Sequence, residues 1–263
     1  MSFFILLLFA VLPSFLWVVY YFRKDDHPEP KRMILYVFLA GAFTALLGYL
    51  FQKSSVTILQ PFVTTNFPEL ASYFIIFRKV FLVAFSEEFF KYLAFFFTVR
   101  HHQELDEPVD IVIYMITAAL GFAALENFLL LSSLPTSNLE NIIAVSALRF
   151  LTATLLHALA SGLLGVFLVY GYRSSKRIML FWGLLVATIA HAVYNFLIMR
   201  INLYPVEVNI FGGLHYADTQ PLITIYPFLF LSISFLIFLA VVLSVMIERT
   251  KRLEPVCVFC EKE

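Results

Sequence analysis

The stretch AFSEEFFKYLAFF, residues 84–96, sets Glu87, Glu88 and Lys91 inside an otherwise apolar run. Three later runs do the same. GFAALENFLLL carries Glu126 and Asn127, ALRFLTATLLHALASGLLG carries Arg149 and His157, and IAHAVYNFLI carries His191 and Asn195. On a helix, Glu87 and Lys91 are i,i+4 and Glu88 and Lys91 are i,i+3, so the ammonium can lie between two carboxylates. His191 and Asn195 share a face, and Arg149, Ala153 and His157 step along one side of their run. Two carboxylates held close in a low dielectric cannot both ionise cheaply, so one stays neutral or pairs with Lys91. A Glu beside a His can hold a water and take its proton. A second His and an Asn amide can donate to the oxyanion of a tetrahedral intermediate. That is the equipment of a hydrolase with no covalent nucleophile. The same Glu and His side chains could instead ligate Zn²⁺, which activates bound water by another route.

These groups must be positioned by membrane helices. Of 263 residues, 61% are hydrophobic and 14% charged, against roughly 25% charged in ordinary soluble domains. So few charges cannot cover so much apolar surface, which includes 31 phenylalanines. The reading is an all-α, polytopic membrane helical bundle forming one integral domain over 1–263. A span needs ~20 mostly apolar residues, and about seven stretches qualify: 2–22, 33–51, 80–99, 110–132, 143–171, 178–200 and 221–247. Short polar connectors such as RKDDHPEPKR (23–32) and RSSKR (173–177) join them. The first span lacks a basic n-region and a small-residue cleavage site, so it reads as a retained helix. Residues 55–74 make no clean span and read as an outer loop with a piece in the interface.

Charge sets the orientation. Arg23, Lys24, Lys31, Arg32, Arg100, Arg173, Lys176, Arg177, Arg249, Lys251, Arg252 and Lys262 would share one side, and Lys53, Arg78, Lys79 and Arg200 the other. Twelve against four places the N-terminus outside and the tail, 248–263, in the cytoplasm. Net charge is zero, so no basic field invites nucleic acid. The two cysteines, Cys257 and Cys260, form a lone CVFC in that tail. They are half of a zinc-knuckle spacing and read as incidental or lipid-modified thiols. Paired broken helices, frequent in transporters, are not evident, the span-seven prolines being Pro221 and Pro227.

Ionisable residues at bilayer depth cost ~2.5–3.5 kcal/mol each on insertion scales, so they normally face a cavity or one another. Taken singly, each has a plain structural explanation. A Glu–Lys pair in one span can be an ion pair, and a lone His or Asn can be interhelical glue. Arg149 is most simply the partner of Glu126 or of the span-three pair. Ser86, Thr152, Thr154 and Ser161 read as bonded to their own helices, and Gly162 and Gly165 as close-packing positions. What lifts the set above these explanations is the number of ionisable groups at similar depth, in mid-membrane or the outer half. Two function classes carry it: an intramembrane peptidase, and a proton- or ion-coupled transporter using the carboxylates as a relay.

EEFFK at 87–91, the run from Asp110 through GFAALEN to Asn127, HALASGLLG from His157 and HAVYN at 191–195 together resemble the PrsW family. That family comprises bacterial membrane-embedded proteases related to the CAAX-processing and bacteriocin-processing superfamily. Four motifs in order on four successive spans, over roughly residues 80–200, carry the resemblance. It implies a plasma-membrane protease that cuts a membrane-anchored protein, in the type case an anti-sigma factor, on its extracytoplasmic side. By the same resemblance Glu87 and Glu88 supply the water-activating carboxylate, His157 its helper, and His191 with Asn195 the oxyanion donors. Glu126 and Asn127 belong to a motif typical of the family, and Lys91 and Arg149 are supporting residues. Glu87 and Glu88 stand about 100° apart on a helix. They therefore cannot both aim at one point, and the superfamily resemblance implies that Glu87 faces His157 and the water while Glu88 turns toward Lys91 or a neighbouring span. With no HExxH present, the reading leans to a metal-free glutamate mechanism. A zinc-dependent version would use Glu87, His157 and His191 as ligands.

Overall fold

The computed structural model describes residues 3–24, 27, 29–99, 105, 107–134, 139–201, 207–209, 213–215 and 220–253, the last strands and 220–224 as backbone only. Arg100, Cys257, Cys260 and Lys262 lie outside the described residues, as does the end of the tail.

The chain is a bundle of helices arranged around one buried helix. In order these are α1 (Phe3–Phe22), α2 (Lys31–Ser54), α3 (Gln60–Asn66), α4 (Ala71–Phe77), α5 (Val83–Thr98), α6 (Pro108–Ser133), α7 (Leu139–Leu151), α8 (Ala153–Ser174), α9 (Ile178–Ile201) and α10 (Gln220–Lys251). Two short strands, β1 (Glu207–Asn209) and β2 (Gly213–His215), pair antiparallel with Val208 opposite Leu214 between α9 and α10. Six helical stretches are long and apolar enough to cross a membrane: Phe3–Phe22, Lys31–Asn66, Pro108–Ser133, Leu139–Ser174, Ile178–Ile201 and Ile225–Lys251. The expected third span is absent from that set by composition, since α5 holds two glutamates and a lysine. α5 nevertheless packs within the bundle, against α2, α6, α8 and α9.

α6 is central because its sequence is apolar on every side. Every residue from Pro108 to Ala124 is buried, and the helix touches α1, α2, α5, α7, α8 and α10. A Glu107–Asp110 capping box starts it, with Pro108 in the first turn where no N–H is needed. Small residues let the backbones meet. A Cβ on Gly41 would fall 2.0 Å from the Ala118 carbonyl oxygen, and one on Gly121 would fall 1.9 Å from that of Phe38. Such close approach is how helices gain contact where lipid removes the hydrophobic drive to associate. Gly165 presses on Val112 of α6 and Gly162 on Leu243 of α10 in the same manner. Outward, α1, α2 and α10 present large apolar side chains such as Phe4, Phe43 and Phe230, a surface suited to lipid.

Two features differ from the sequence expectation. Residues 55–74 are not a loop. A π-turn, Ser55–Leu59, carries α2 on into α3, and a second, Arg78–Leu82, joins α4 to α5. The result is a long helical hairpin turning at Pro68–Leu70. Pro61 supplies no N–H to the ladder, and the wider π-turn before it, closed by the Gln60 N–H on the Ser55 carbonyl, absorbs the mismatch. The expected span 143–171 is also two helices. Thr152, at φ −124° and ψ −93°, ends α7 and starts α8. Its hydroxyl donates back to the Leu148 carbonyl at 2.7 Å, a bond that bends helices. The Trp17 indole donates to the Phe150 carbonyl at 2.8 Å and stacks on the Phe150 ring.

Candidate active site

The polar residues of α5, α6, α8 and α9 meet inside the bundle. Counted along each helix at 1.5 Å per residue, Glu87 is ~16 Å from the Thr98 end of α5 and Glu126 ~27 Å from the Pro108 end of α6. His157 is ~26 Å from the Ser174 end of α8, and His191 ~20 Å from the Ile178 end of α9. By the charge count those four ends share the side on which Lys and Arg are in excess, so the groups gather from the middle to the opposite half of the membrane.

The two adjacent glutamates face different ways, as a 100° step per residue requires. Glu88 is fully buried and fully engaged. Its Oε1 accepts from Lys91 Nζ at 2.6 Å and lies 2.8 Å from His191 Nδ1, and its Oε2 accepts from the Ser161 hydroxyl at 2.7 Å. Lys91 is itself fully buried, its ammonium 5.1 Å from the Phe122 ring centroid. Glu87 instead turns to the histidines. Its Oε2 is 3.6 Å from His191 Nε2 and 3.9 Å from His157 Nδ1, while its Oε1 accepts from the Gln52 amide at 3.0 Å. The two imidazoles stand 5.2 Å apart, edge to face at 89°.

The far nitrogen of each histidine meets a second carboxylate. His157 Nε2 is 2.8 Å from Glu126 Oε2, a close polar contact though not a full hydrogen bond. His191 Nδ1 has Glu88. A carboxylate only accepts, so these nitrogens carry the protons and leave lone pairs on His157 Nδ1 and His191 Nε2. Both of these nitrogens lie within 4 Å of Glu87 Oε2. Three acceptors thus converge in a buried place, and neither Glu87 Oε2 nor His157 Nδ1 has a hydrogen-bond donor within reach.

Around this point, Arg149 NH2 sits 3.3 Å from Glu126 Oε2, and its Nε donates to Asn127 Oδ1. Asn127 Nδ2 in turn bonds the Ala10 carbonyl and the Thr154 hydroxyl, each at 3.2 Å. The break at Thr152 lets α7 fold Arg149 back over α6. Glu126 is the accessible carboxylate of the set, its side chain 37% exposed. Asn195 is half-buried one turn beyond His191.

The spacing therefore points to residues that do come together, and Arg149 is the Glu126 partner. Three participants escape it. Gln52 stands just past the apolar run 33–51, followed by Lys53 and Ser54, and reads as the end of a span, yet it donates to Glu87. Ser161 and Thr154 read as bonded to their own helices, yet they reach across to Glu88 and Asn127. Ser86 and Thr152 do bond their own helices, to Val83 and Leu148. A polar residue in an apolar run was the available signal for Ser161 and Thr154, and for Gln52 only its place at the start of the polar stretch QKSS. The partner of each, tens of residues away, was not.

The donor set fits a metal ion. Glu87, His157 and His191 each offer one ligand atom, all within 4.8 Å of one another. A tetrahedral zinc with bonds of about 2.0–2.1 Å would hold such atoms roughly 3.3 Å apart, a small side-chain adjustment. Carboxylates behind both ligating imidazoles match the way proteins orient zinc-bound histidines. Three carboxylates against Lys91 and Arg149 also leave one negative charge without a fixed partner.

Comparison with known proteins points to one family. A model of the PrsW family, described as an intramembrane metalloprotease family, matches residues 29–248. The match extends past the four motifs to take in Gln52 and most of α10. The protease PrsW of Oceanobacillus iheyensis is 28% identical over 192 residues, covering 72% of this chain and 80% of that protein. That of Geobacillus kaustophilus is 29% identical, covering 72% and 78%, and that of Bacillus subtilis 24% identical, covering 73% and 82%. No solved structure matches the chain.

Proposed function

Because the chain belongs to the PrsW family and is a bacterial, multi-pass, membrane-embedded protease, we propose that it hydrolyses a peptide bond of a membrane-anchored protein at the cluster of Glu87, His157 and His191. The convergence of three buried acceptors, each braced from behind, is the observation that carries this reading. Acceptors so placed repel one another unless a cation sits among them, which favours a zinc-type site over the metal-free mechanism that the lack of an HExxH motif suggested. Glu87 Oε2, His157 Nδ1 and His191 Nε2 would hold the ion. Bound there, it would polarise the scissile carbonyl and make water acidic enough to ionise near neutral pH.

The chain's own groups then have distinct tasks. Gln52, Glu126 and Glu88 keep the three donors aimed. Glu88 cannot also take a proton, since its oxygens already serve Lys91, His191 and Ser161. Glu126, the accessible carboxylate, receives the proton that the attacking water releases, with Arg149 holding it in place. Both nitrogens of His191 are committed, so the oxyanion donor falls to the Asn195 amide, on the same face one turn on. The transporter reading finds no support in the family. An anti-sigma-factor-like substrate cut on the extracytoplasmic side remains the substrate we assign, on the resemblance and the charge asymmetry.

Cleavage of a co-reconstituted single-span substrate in detergent tests the reading, with metal content measured in parallel. We expect about one zinc per chain, loss of both zinc and activity on strong chelation, and recovery on adding Zn²⁺. His157→Ala and His191→Ala should each lower the metal content. Full activity after exhaustive chelation, in protein that holds no metal, would return the mechanism to Glu87 acting as a base.

A further inference from the structure

Away from the site, the C-terminal ends of α1 and α10 frame a cleft of about 420 Å³. Three cations line it, Lys24 from α1 and Arg249 and Arg252 from α10, with Glu248 the acidic group among its lining residues. Tyr20 and Tyr21 complete the α1 side, the Lys24 ammonium 5.6 Å from the Tyr20 ring centroid. Val245 and Ile247 form an apolar wall opposite. Among the described residues no ion pair joins Glu248 to these cations, and all three cations are exposed. The cleft lies at the end of the bundle where Lys and Arg are concentrated, the headgroup level of the cytoplasmic leaflet by the charge asymmetry.

We propose that this cleft binds an anionic phospholipid, the phosphate between Lys24, Arg249 and Arg252 and the acyl chains along the apolar faces of α1 and α10. Net positive charge selects the headgroup, since juxtamembrane Lys and Arg attract anionic lipid. Arginines add fork geometry suited to phosphate oxygens. Two tyrosines at this level suit the interface, where an apolar ring and a polar tip are both satisfied. The apolar wall decides for a lipid over a free anion, because exposed Val245 continues along α10 through Val241 and Phe238, and Tyr20 follows Leu16 on the outer face of α1. The groove on the other side of α1, about 520 Å³ between α1 and α2, makes the contrast. It has apolar walls, including Val11, Phe15 and Phe38, but a single cation, Lys31.

The test is native mass spectrometry of the full chain in detergent, with phosphatidylglycerol and phosphatidylcholine of identical chains added in turn. We expect phosphatidylglycerol to be retained about thirtyfold better, as two net charges at the headgroup level imply. The variant carrying Lys24→Gln, Arg249→Gln and Arg252→Gln should hold both lipids equally. Lys31→Gln should keep the full preference. Should the triple variant fail to fold, the single variants should each lose severalfold. Equal retention of the two lipids by the unaltered chain would overturn the proposal, as would an undiminished preference in the substituted variants. Displacement of phosphatidylglycerol by millimolar inorganic phosphate would also overturn it, by showing that the site reads a bare anion.

Discussion

At the scale of single residues, the cluster divides into groups that would touch the reaction and groups that brace them, and substitutions should separate the two. Glu87→Gln, His157→Ala and His191→Ala should each drop cleavage below detection while the protein still inserts and elutes as one monodisperse species. A double variant should lose no more than a single one, because residues that act as a unit fail together. Normal turnover by a well-folded Glu87→Gln would remove Glu87 from the chemistry. The bracing residues should behave differently. Gln52→Ala removes the donor to Glu87 Oε1 and should cost about 10–100-fold in activity or metal affinity, with little change in KM. Ser161→Ala leaves Glu88 Oε2 without its hydroxyl donor and should cost about 1.5–3 kcal/mol, read as a lower Tm in detergent. What the sequence made legible here was the cost of charge in hydrocarbon: Glu87, Glu88, Lys91, Glu126 and the histidines had to find one another. Gln52 and Ser161 were hidden because a neutral polar side chain costs little alone and can bond its own helix.

At the scale of elements, the site depends on helices brought close by glycine and on one helix that breaks. Gly41 and Gly121 each lie against a carbonyl of the facing helix, at 2.0 and 1.9 Å for an added Cβ. Backbone cannot yield as a side chain can, so Gly121→Leu should separate α2 from α6 and abolish the monodisperse peak on size-exclusion chromatography. Gly48→Ala, whose Cβ would meet side chains alone, the Phe122 ring at 3.2 Å and the Phe90 ring at 3.6 Å, should leave the peak intact. If both behave alike, the close approach of α2 and α6 is not what holds the bundle. Arg149→Ala tests the broken helix. It removes the guanidinium beside Glu126, leaves the buried Oε2 of that carboxylate without its cation, and should lower folded yield as well as activity. The apolar runs announced most of these helices, since a run of about 20 apolar residues has few alternatives. The break at Thr152 was invisible, because ALRFLTATLLHALA is apolar enough to pass for one uninterrupted span. The α3 and α4 extensions were misread for the opposite reason. Pro61, Pro68 and the threonines between them resemble a loop, although a π-turn can carry a helix past a proline.

At the scale of the whole molecule, orientation decides which side of the membrane a substrate is cut from. The helix Lys31–Asn66 has 36 residues and is ~54 Å long, well beyond a hydrocarbon core of ~30 Å. Its start is anchored among Lys31 and Arg32, so the excess must emerge, tilted or upright, at the far end with the turn Pro68–Leu70. The cluster of Glu87, His157 and His191 is displaced toward that same end. If Lys and Arg mark the cytoplasm, the hairpin tip and the nearer mouth of the site face outward, and the cut falls on the extracytoplasmic part of the substrate. A thiol introduced by Glu69→Cys, in a chain carrying Cys257→Ser and Cys260→Ser, should then react with a membrane-impermeant maleimide in intact cells. The natural Cys257 and Cys260 should stay unlabelled until the membrane is permeabilised. The reverse pattern would invert the bundle, move the cut to the cytoplasmic side and exclude an extracytoplasmic segment as substrate. It would leave the Glu87, His157 and His191 cluster unchanged, because their convergence is set by helix packing and not by which face of the membrane they are nearer.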